Sequence, residues 1–357
     1  LTESSSEPTT HPEAINGPES TQWGQAITSE LNSHKENGTW TACKLPPGRK
    51  AIGCKWVFKV KRDENGNVER YKARLTAKGY SQIRGVDYNE TFAPTVRFTT
   101  IRMFFAIAAH LGWSLMQLDV KTAYLIPKLK QEIYMKAPEG SGMEGGYVRL
   151  NKCLYGLKQS GRAWNDNLHS TLTQKLGLKR SKFDPCLYYS LDKHGNLSAL
   201  LVCYVDDILL CGSTSTIENL SSKLLTAYKM TSGKVSHFLA MRISQNQNGD
   251  ITLQQDAFVD KLLARFNMTN AAATRTPGTK RLSKEDCPTT TEEKEYMQKV
   301  PYRQCVGALM YLAVLTRPDI VFAVNQASRF LENPGRAHWA AVKTIMTYLK
   351  GTRANGL

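Results

Sequence analysis

Ala199-Leu200-Leu201-Val202-Cys203-Tyr204-Val205-Asp206-Asp207-Ile208-Leu209-Leu210-Cys211 sets two adjacent carboxylates inside an otherwise apolar, strand-forming run. The flanks predict two buried strands, so Asp206 and Asp207 fit best at the turn between them, on the rim of a sheet. Two close carboxylates repel, and one takes up a proton at neutral pH unless a cation compensates the pair. On its own an Asp-Asp pair is more often a solvated turn than a metal site. Its apolar setting shifts that balance, and so does a third acid. Leu115-Met116-Gln117-Leu118 reads as a strand ending on Asp119, which taken alone could be a helix cap or a surface acid. Three carboxylates from two neighbouring strands, with no His or Cys beside them, suit Mg²⁺ or Mn²⁺ rather than zinc. Two such ions roughly 3.5–4 Å apart can activate a 3′-hydroxyl and stabilise a leaving pyrophosphate, which is the chemistry of nucleotidyl transfer.

Working outward, Trp56-Val57-Phe58-Lys59-Val60 and Arg70-Tyr71-Lys72-Ala73-Arg74-Leu75 flank Asp63-Glu64-Asn65-Gly66-Asn67. Two alternating runs around an Asn-Gly predict a β-hairpin with basic outward positions. An amphipathic stretch from Trp23 predicts a helix stopping at Gly38. Thr99 or Thr100 is expected to cap a helix carrying Phe104 and Ile107, followed by a strand over 114–120. Trp164, Leu168, Leu172 and Leu176 recur at helical spacing, predicting a helix from Gly161 to Leu176. Strands are expected at 186–190 and 197–211, and helices at 217–230, 257–266, 302–315, 318–331 and 338–349. The Ser-, Thr- and Pro-rich start, to about residue 20, reads as a disordered leader, and the polar run from Thr274 to Glu295 as a linker.

The chain has 357 residues, which favours two or three subdomains around a shared cleft. Its 47 Lys and Arg against 31 Asp and Glu give a formal charge of +16, a surplus that predicts a polyanionic partner. Nucleic acid leads, with an anionic membrane surface as the weaker alternative. Eleven of the basic residues fall between Lys44 and Lys78, and Lys175, Lys179, Arg180 and Lys182 form a second cluster. The eight cysteines show no CxxC pair and read as reduced core thiols of a cytosolic or nuclear protein. No stretch approaches the ~18 consecutive apolar residues of a membrane span, so no membrane partner is expected. A start at Leu1 and an end at Leu357 read as a piece of a longer polyprotein.

Tyr204-Val205-Asp206-Asp207, with Leu118-Asp119-Val120-Lys121-Thr122-Ala123-Tyr124 upstream, resembles the reverse transcriptase of Ty1/copia-type LTR retrotransposons. Gly53 to Lys59, Tyr71 to Leu75, Asp87 to Pro94, Glu132 to Met135, Leu154 to Gln159, Asp184 to Leu187 and Thr316 to Ile320 resemble that family in order. The resemblance implies an α+β right-hand polymerase with fingers, palm and thumb, an antiparallel palm sheet and a helical C-terminal region. By residue number this places fingers and palm at 21–215, a thumb-like region at 216–273, a linker at 274–300, and at 301–357 a connection towards an RNase H domain that the chain does not reach. It implies RNA- and DNA-directed DNA synthesis from deoxynucleoside triphosphates on a primer–template, with Mg²⁺ or Mn²⁺, alongside other polyprotein segments. It also implies cytoplasmic virus-like particles and then the nucleus.

The same resemblance assigns roles. Asp119, Asp206 and Asp207 match the catalytic metal triad, with the Val120 carbonyl beside the first metal. Lys72 and Arg74 match residues that clamp the incoming triphosphate, although outward charges on a solvated hairpin would look the same. Tyr124 matches the ring that crowds a ribose 2′-hydroxyl, or is a core aromatic. Gln159 matches a residue packing on nucleotide and template, and Leu239, Ala240 and Met241 match the turn that grips the primer end. Three departures stand out: Gly161 where the family usually has Pro, Ile126-Pro127 where it has Asn-Gly, and Ala240 where it has Gly. The last places Ala where positive φ is expected, at about 1 kcal/mol. These departures leave open a decayed or co-opted copy that binds nucleic acid without polymerising. A different palm-type metal enzyme would need only the paired acids.

Overall fold

The computed structural model describes residues 7–62, 67–143, 145–278 and 281–357. It is a mixed α+β chain with several antiparallel sheets. The first elements correct the expected disordered leader. Helix α1, His11–Asn16, starts where the Thr10 hydroxyl accepts the Glu13 N–H, with Pro12 in the first turn, and it buries Ala14. Residues 1–6 lie outside the described residues. Helix α2, Ser20–Asn37, buries Trp23 and Ile27 and ends at Gly38, whose φ of 59° returns its N–H to the last carbonyls.

Strands β1 (Trp40–Cys43) and β2 (Ala51–Ile52) precede β3, Cys54–Arg62, and β4, Val68–Ala77. The last two form the expected hairpin, with Trp56 opposite Leu75 and Lys59 opposite Lys72; its turn, 63–66, lies outside the described residues. Trp56, Phe58 and Val60 point into one core with Trp23, Ile27 and Leu75 while Val57 and Lys59 between them point out, the period-two pattern of a half-buried strand. At the base of this hairpin, Gly156 has a φ of 88°, and a Cβ there would meet the Ala77 carbonyl at 2.2 Å, so only glycine allows this approach.

Helix α3, Phe98–His110, has Arg97 at its N-cap and no hydroxyl cap of its own, contrary to the expectation for Thr99 or Thr100. The cap comes instead from a distant residue. Buried Asp184 takes the Arg97 N–H at 2.9 Å and the Thr100 hydroxyl at 2.6 Å on one carboxylate oxygen. An acid at a helix N-terminus satisfies orphan N–H groups and opposes the dipole, so the hydroxyl was free to act as donor.

Strand β5 is Ser114–Val120, and β6 (Lys128–Lys136) and β7 (Tyr147–Lys152) complete a four-stranded sheet in the order β1-β7-β6-β2. Helix α4, Ser160–Ser170, gives way to a wide turn over Thr171–Lys175. Then follow β8 (Lys179–Arg180), β9 (Leu187–Leu191), β10 (Leu197–Tyr204), β11 (Asp207–Gly212), α5 (Thr214–Ala227) and β12 (Met230–Gly233). The central sheet runs β12-β5-β11-β10-β9-β8, antiparallel throughout. On β11, Ile208 and Leu210 face α4 and α5, whereas Leu209 and Cys211 face α3. Burial on both faces is why this run reads as unbroken apolar sequence.

Helix α5 and β12 therefore belong to the central layer, which corrects the expectation of a separate region beginning at 216. Strands β13 (His237–Phe238), β14 (Met241–Gln245) and β15 (Ile251–Gln254) make a small sheet whose Phe238, Met241 and Ile243 join the core beneath α3. Helices α6 (Asp256–Arg265), α7 (Thr291–Gln298), α8 (Tyr302–Leu315), α9 (Val321–Ser328) and α10 (Arg336–Gly351) follow. Leu262, Leu309, Val324 and Ile345 share the helical core. The expected linker is also ordered where described: Leu282 is buried in that core, and Thr290 and Glu293 cap α7 reciprocally. All eight cysteines are free thiols, and among the described residues no helix is long and apolar enough to cross a membrane.

Candidate active site

The carboxylates meet because of strand register. Asp207 on β11 lies directly opposite Asp119 on β5, and Tyr204 pairs with Asp207 across the turn. Val205 takes a φ of 58° there, its carbonyl accepting the Trp164 indole N–H at 2.6 Å. Such a φ is costly for a β-branched residue, and a buried tryptophan donor holds it in place. The Asp206 carbonyl accepts the Val120 N–H at 3.0 Å, which brings the turn against the end of β5. Asp119 is exposed, whereas Asp206 and Asp207 are half-buried.

Charge accumulates as the sequence predicts. Burial first, then Asp206, pushes the Asp119 carboxyl above its ordinary range, with Lys72, Lys121 and Arg74 pulling it back. Asp207 is raised by burial and by both neighbouring acids. Oxygen donors in mutual repulsion fit a divalent cation, which would favour all three charged forms. Among the described residues no group of three or more His, Cys, Asp or Glu side chains is placed to hold a metal ion. The arrangement is two facing carboxylates with a third on the adjoining turn.

A cavity of about 740 Å³ opens over this end of the sheet, lined by Asp119, Val120, Asp206, Lys72, Arg74 and Tyr155 among others. Lys72 and Arg74 therefore share one cleft with two of the acids. Lys72 is half-buried, and burial followed by Arg74, Arg70 and Lys61 lowers its pKa, so an anion in the cleft would relieve the crowding. The Arg74 guanidinium lies over the Tyr155 ring at 4.9 Å from its centroid. Tyr124 packs edge-on against Tyr155 at 5.0 Å and feels the Asp206 charge, though it does not line the cavity wall.

Other assignments are placed differently. Gln159 is buried, with its amide donating to the Asp87 carbonyl at 2.8 Å and its oxygen accepting from Gln82 at 3.1 Å. It ties two loops together and lies outside the lining of the carboxylate cavity, on the wall of a neighbouring one with Asn89, Arg162 and Asp166. Leu239 and Ala240 form a two-residue turn with φ of 47° and 55°; Ala240 is exposed, and the Leu239 carbonyl accepts the Tyr311 hydroxyl at 2.6 Å. Positive φ at Ala240 was foreseen, and at Leu239 it was not. Met241 is fully buried in the core beneath α3. Near Ile126-Pro127, the positive φ falls at Thr122 (54°), and Ile126 stays right-handed. Gly161 lies in the first turn of α4, where a Cβ would make ordinary contact with Ala93.

Sequence reasoning missed the wall supplied by α2. Ser29, Glu30, Ser33 and Glu36 line the same cavity, and Glu36 reaches Lys229 at 3.4 Å. Ser29, Ser33 and Glu36 recur at helical spacing away from Trp23 and Ile27, with Glu30 at the edge of the buried face, and that pattern was the available signal.

Comparison with known proteins adds an independent line. Residues 37–280 match the family model described as reverse transcriptase (RNA-dependent DNA polymerase). The retrovirus-related Pol polyprotein from transposon TNT 1-94 of Nicotiana tabacum is 43% identical over 359 residues, covering 98% of this chain and 27% of that protein. The corresponding polyprotein from transposon RE1 of Arabidopsis thaliana is 37% identical, covering 99% of this chain and 24% of that protein. A truncated transposon Ty1-A Gag-Pol polyprotein of Saccharomyces cerevisiae is 24% identical over 92% of this chain. The chain spans about a quarter of the length of these curated relatives.

Proposed function

Since the chain belongs to the reverse transcriptase (RNA-dependent DNA polymerase) family, in its Ty1/copia-type branch, we propose that it extends a primer on an RNA or DNA template from deoxynucleoside triphosphates. The observation that carries this reading is the strand register that sets Asp119 against Asp207, with Asp206 on the adjoining turn, across one cavity from Lys72 and Arg74. In this reading the central sheet with α3 to α5 is the palm, the β3–β4 hairpin belongs to the fingers, and the unit from α6 to α10 takes the place of thumb and connection.

Lys72 and Arg74 bind the triphosphate, and their fixed donors offset the charge that builds as pyrophosphate leaves. Asp119, Asp206 and Asp207 would hold Mg²⁺, with the Val120 carbonyl beside them; the ions would supply Lewis-acid stabilisation of the attacking and leaving oxygens. Tyr155 supplies the aromatic wall beside Asp206, and Tyr124 packs behind it, so crowding of a ribose 2′-hydroxyl would come from this pair of rings. The turn at Leu239–Ala240 would bear on the primer end. The partners are thus a primer–template, deoxynucleotides and neighbouring polyprotein segments. The bond formed joins the primer 3′-oxygen to the α-phosphorus, and the bond broken releases pyrophosphate.

The test is single-nucleotide incorporation on an RNA template with Mg²⁺, comparing deoxynucleotide with ribonucleotide. Incorporation with deoxynucleotide preferred supports the reading. No incorporation, with salt-sensitive primer–template binding retained, would transfer the chain to the second reading, a binder that no longer polymerises, which the strained Ala240 favours.

A further inference from the structure

The hairpin that presents Lys72 and Arg74 is a two-stranded sheet with no third strand on either side among the described residues. Its outer N–H groups must find partners elsewhere, because unpaired strand edges are costly when buried and adhesive when exposed. Two of them find carboxylates from the chain's first thirty residues, while the Ala77 N–H donates to the Tyr155 carbonyl at 2.7 Å. Glu30 on α2 accepts the Leu75 N–H of β4 at 3.1 Å, and Glu7 accepts the Val60 N–H of β3 at 2.9 Å while pairing with Lys59. Glu19 accepts the Tyr71 hydroxyl at 2.9 Å, and Trp23 packs edge-on against both Phe58 and Tyr71.

The Glu30 contact bears most directly on the site. The Leu75 N–H belongs to the peptide unit whose other half is the Arg74 carbonyl, so Glu30 fixes the peptide plane next to Arg74. The Glu30 side chain is only 11% exposed and sits 3.5 Å from His34, so its position is itself held by packing. The bracing residues Glu7, Glu19, Trp23 and Glu30 lie upstream of residue 37, where the match to the family model begins.

We infer that the N-terminal segment is a brace for the nucleotide-binding hairpin, with Glu30 the positioning residue that aims Lys72 and Arg74 into the carboxylate cleft. The inference rests on the polymerase reading for the identity of the ligand, though not for the brace itself. Loss of a hydrogen bond to a charged acceptor, transmitted to the triphosphate contact, gives an expected rise of about tenfold in KM.

The experiment uses the full chain and its Glu30→Ala and Glu30→Gln variants. It measures the KM and kcat of deoxynucleotide incorporation, and the affinity for inorganic tripolyphosphate, which needs no turnover. Glu30→Ala should raise KM and weaken tripolyphosphate binding by the same factor with kcat nearly unchanged. Glu30→Gln, which keeps an oxygen for Leu75, should restore most of both. A merely structural role would lower kcat in proportion to the folded fraction and leave KM alone. If the unaltered chain incorporates nucleotide and neither KM nor tripolyphosphate affinity moves, the brace is wrong. If it incorporates nothing yet Glu30→Ala weakens tripolyphosphate, the polymerase reading fails and the brace stands. If the unaltered chain does not bind tripolyphosphate, the phosphate role of Lys72 and Arg74 falls, and the brace with it.

Discussion

Two hairpins face each other across the cleft, and they are stabilised in opposite ways. The β10–β11 hairpin that carries Asp206 and Asp207 sits inside a six-stranded sheet, with β5 on one side, β9 on the other and a packed core on both faces. The β3–β4 hairpin that carries Lys72 and Arg74 has no strand neighbours among the described residues, and side chains from α2 and the segment before it bond one N–H on each edge. In the proposed reading a metal triad would need fixed geometry, which a doubly buried sheet provides. A triphosphate clamp supported by a few side-chain contacts would be adjustable, because such contacts can open without unfolding the sheet.

The largest expected effect strikes the paired side. Ile208→Ala removes a fully buried side chain from the middle of the sheet and should cost about 2–5 kcal/mol of unfolding free energy. Chemical denaturation reads this directly, and a loss below the low end of that range would mean the central hairpin is not the rigid half. Lys72→Ala strikes the braced side. It should leave the denaturation midpoint in place while kcat/KM for deoxynucleotide falls by about 10- to 100-fold, the scale of losing a charge-assisted contact. Equal losses of stability and activity would erase the contrast.

Hydrogen exchange sharpens the same comparison without substitution. The Leu75 amide, held only by a side-chain carboxylate, should exchange by local opening, and the amides of Leu201 and Leu209 only through global unfolding. Matching protection at all three would contradict a braced hairpin. The smallest effect is at Ala240, where φ is 55°. Ala240→Gly should add about 0.5–1 kcal/mol, because glycine adopts that region freely; a loss of stability would show that the turn tolerates alanine without strain.

How much of this was legible follows from where each signal came from. The central hairpin announced itself because acids interrupted a run buried on both faces, and the basic hairpin because its period-two pattern flanked an Asn-Gly. The ordered leader and the ordered linker share one cause: capping chemistry outweighs polar composition there. Thr10 with Glu13 and Thr290 with Glu293 both carry the Ser/Thr-x-x-Glu spacing that starts a helix, inside stretches whose polarity suggested a disordered leader and a linker. The capping of α3 by Asp184 was beyond local reading, because the acid lies some eighty residues away in sequence. Gln159 was assigned by resemblance, and the hydrogen bonds that turn it inward belong to tertiary structure. The α2 wall was missed because its polar face looked like ordinary solvated surface.

The most direct test of the central claim is primer extension on an RNA template with Mg²⁺ and deoxynucleotides, run side by side for the chain and for Asp206→Asn. Extension that falls by about three orders of magnitude in the variant, with the fold and primer–template affinity unchanged, is the predicted result. Extension that survives Asp206→Asn, or that is absent from the unaltered chain, would contradict the account.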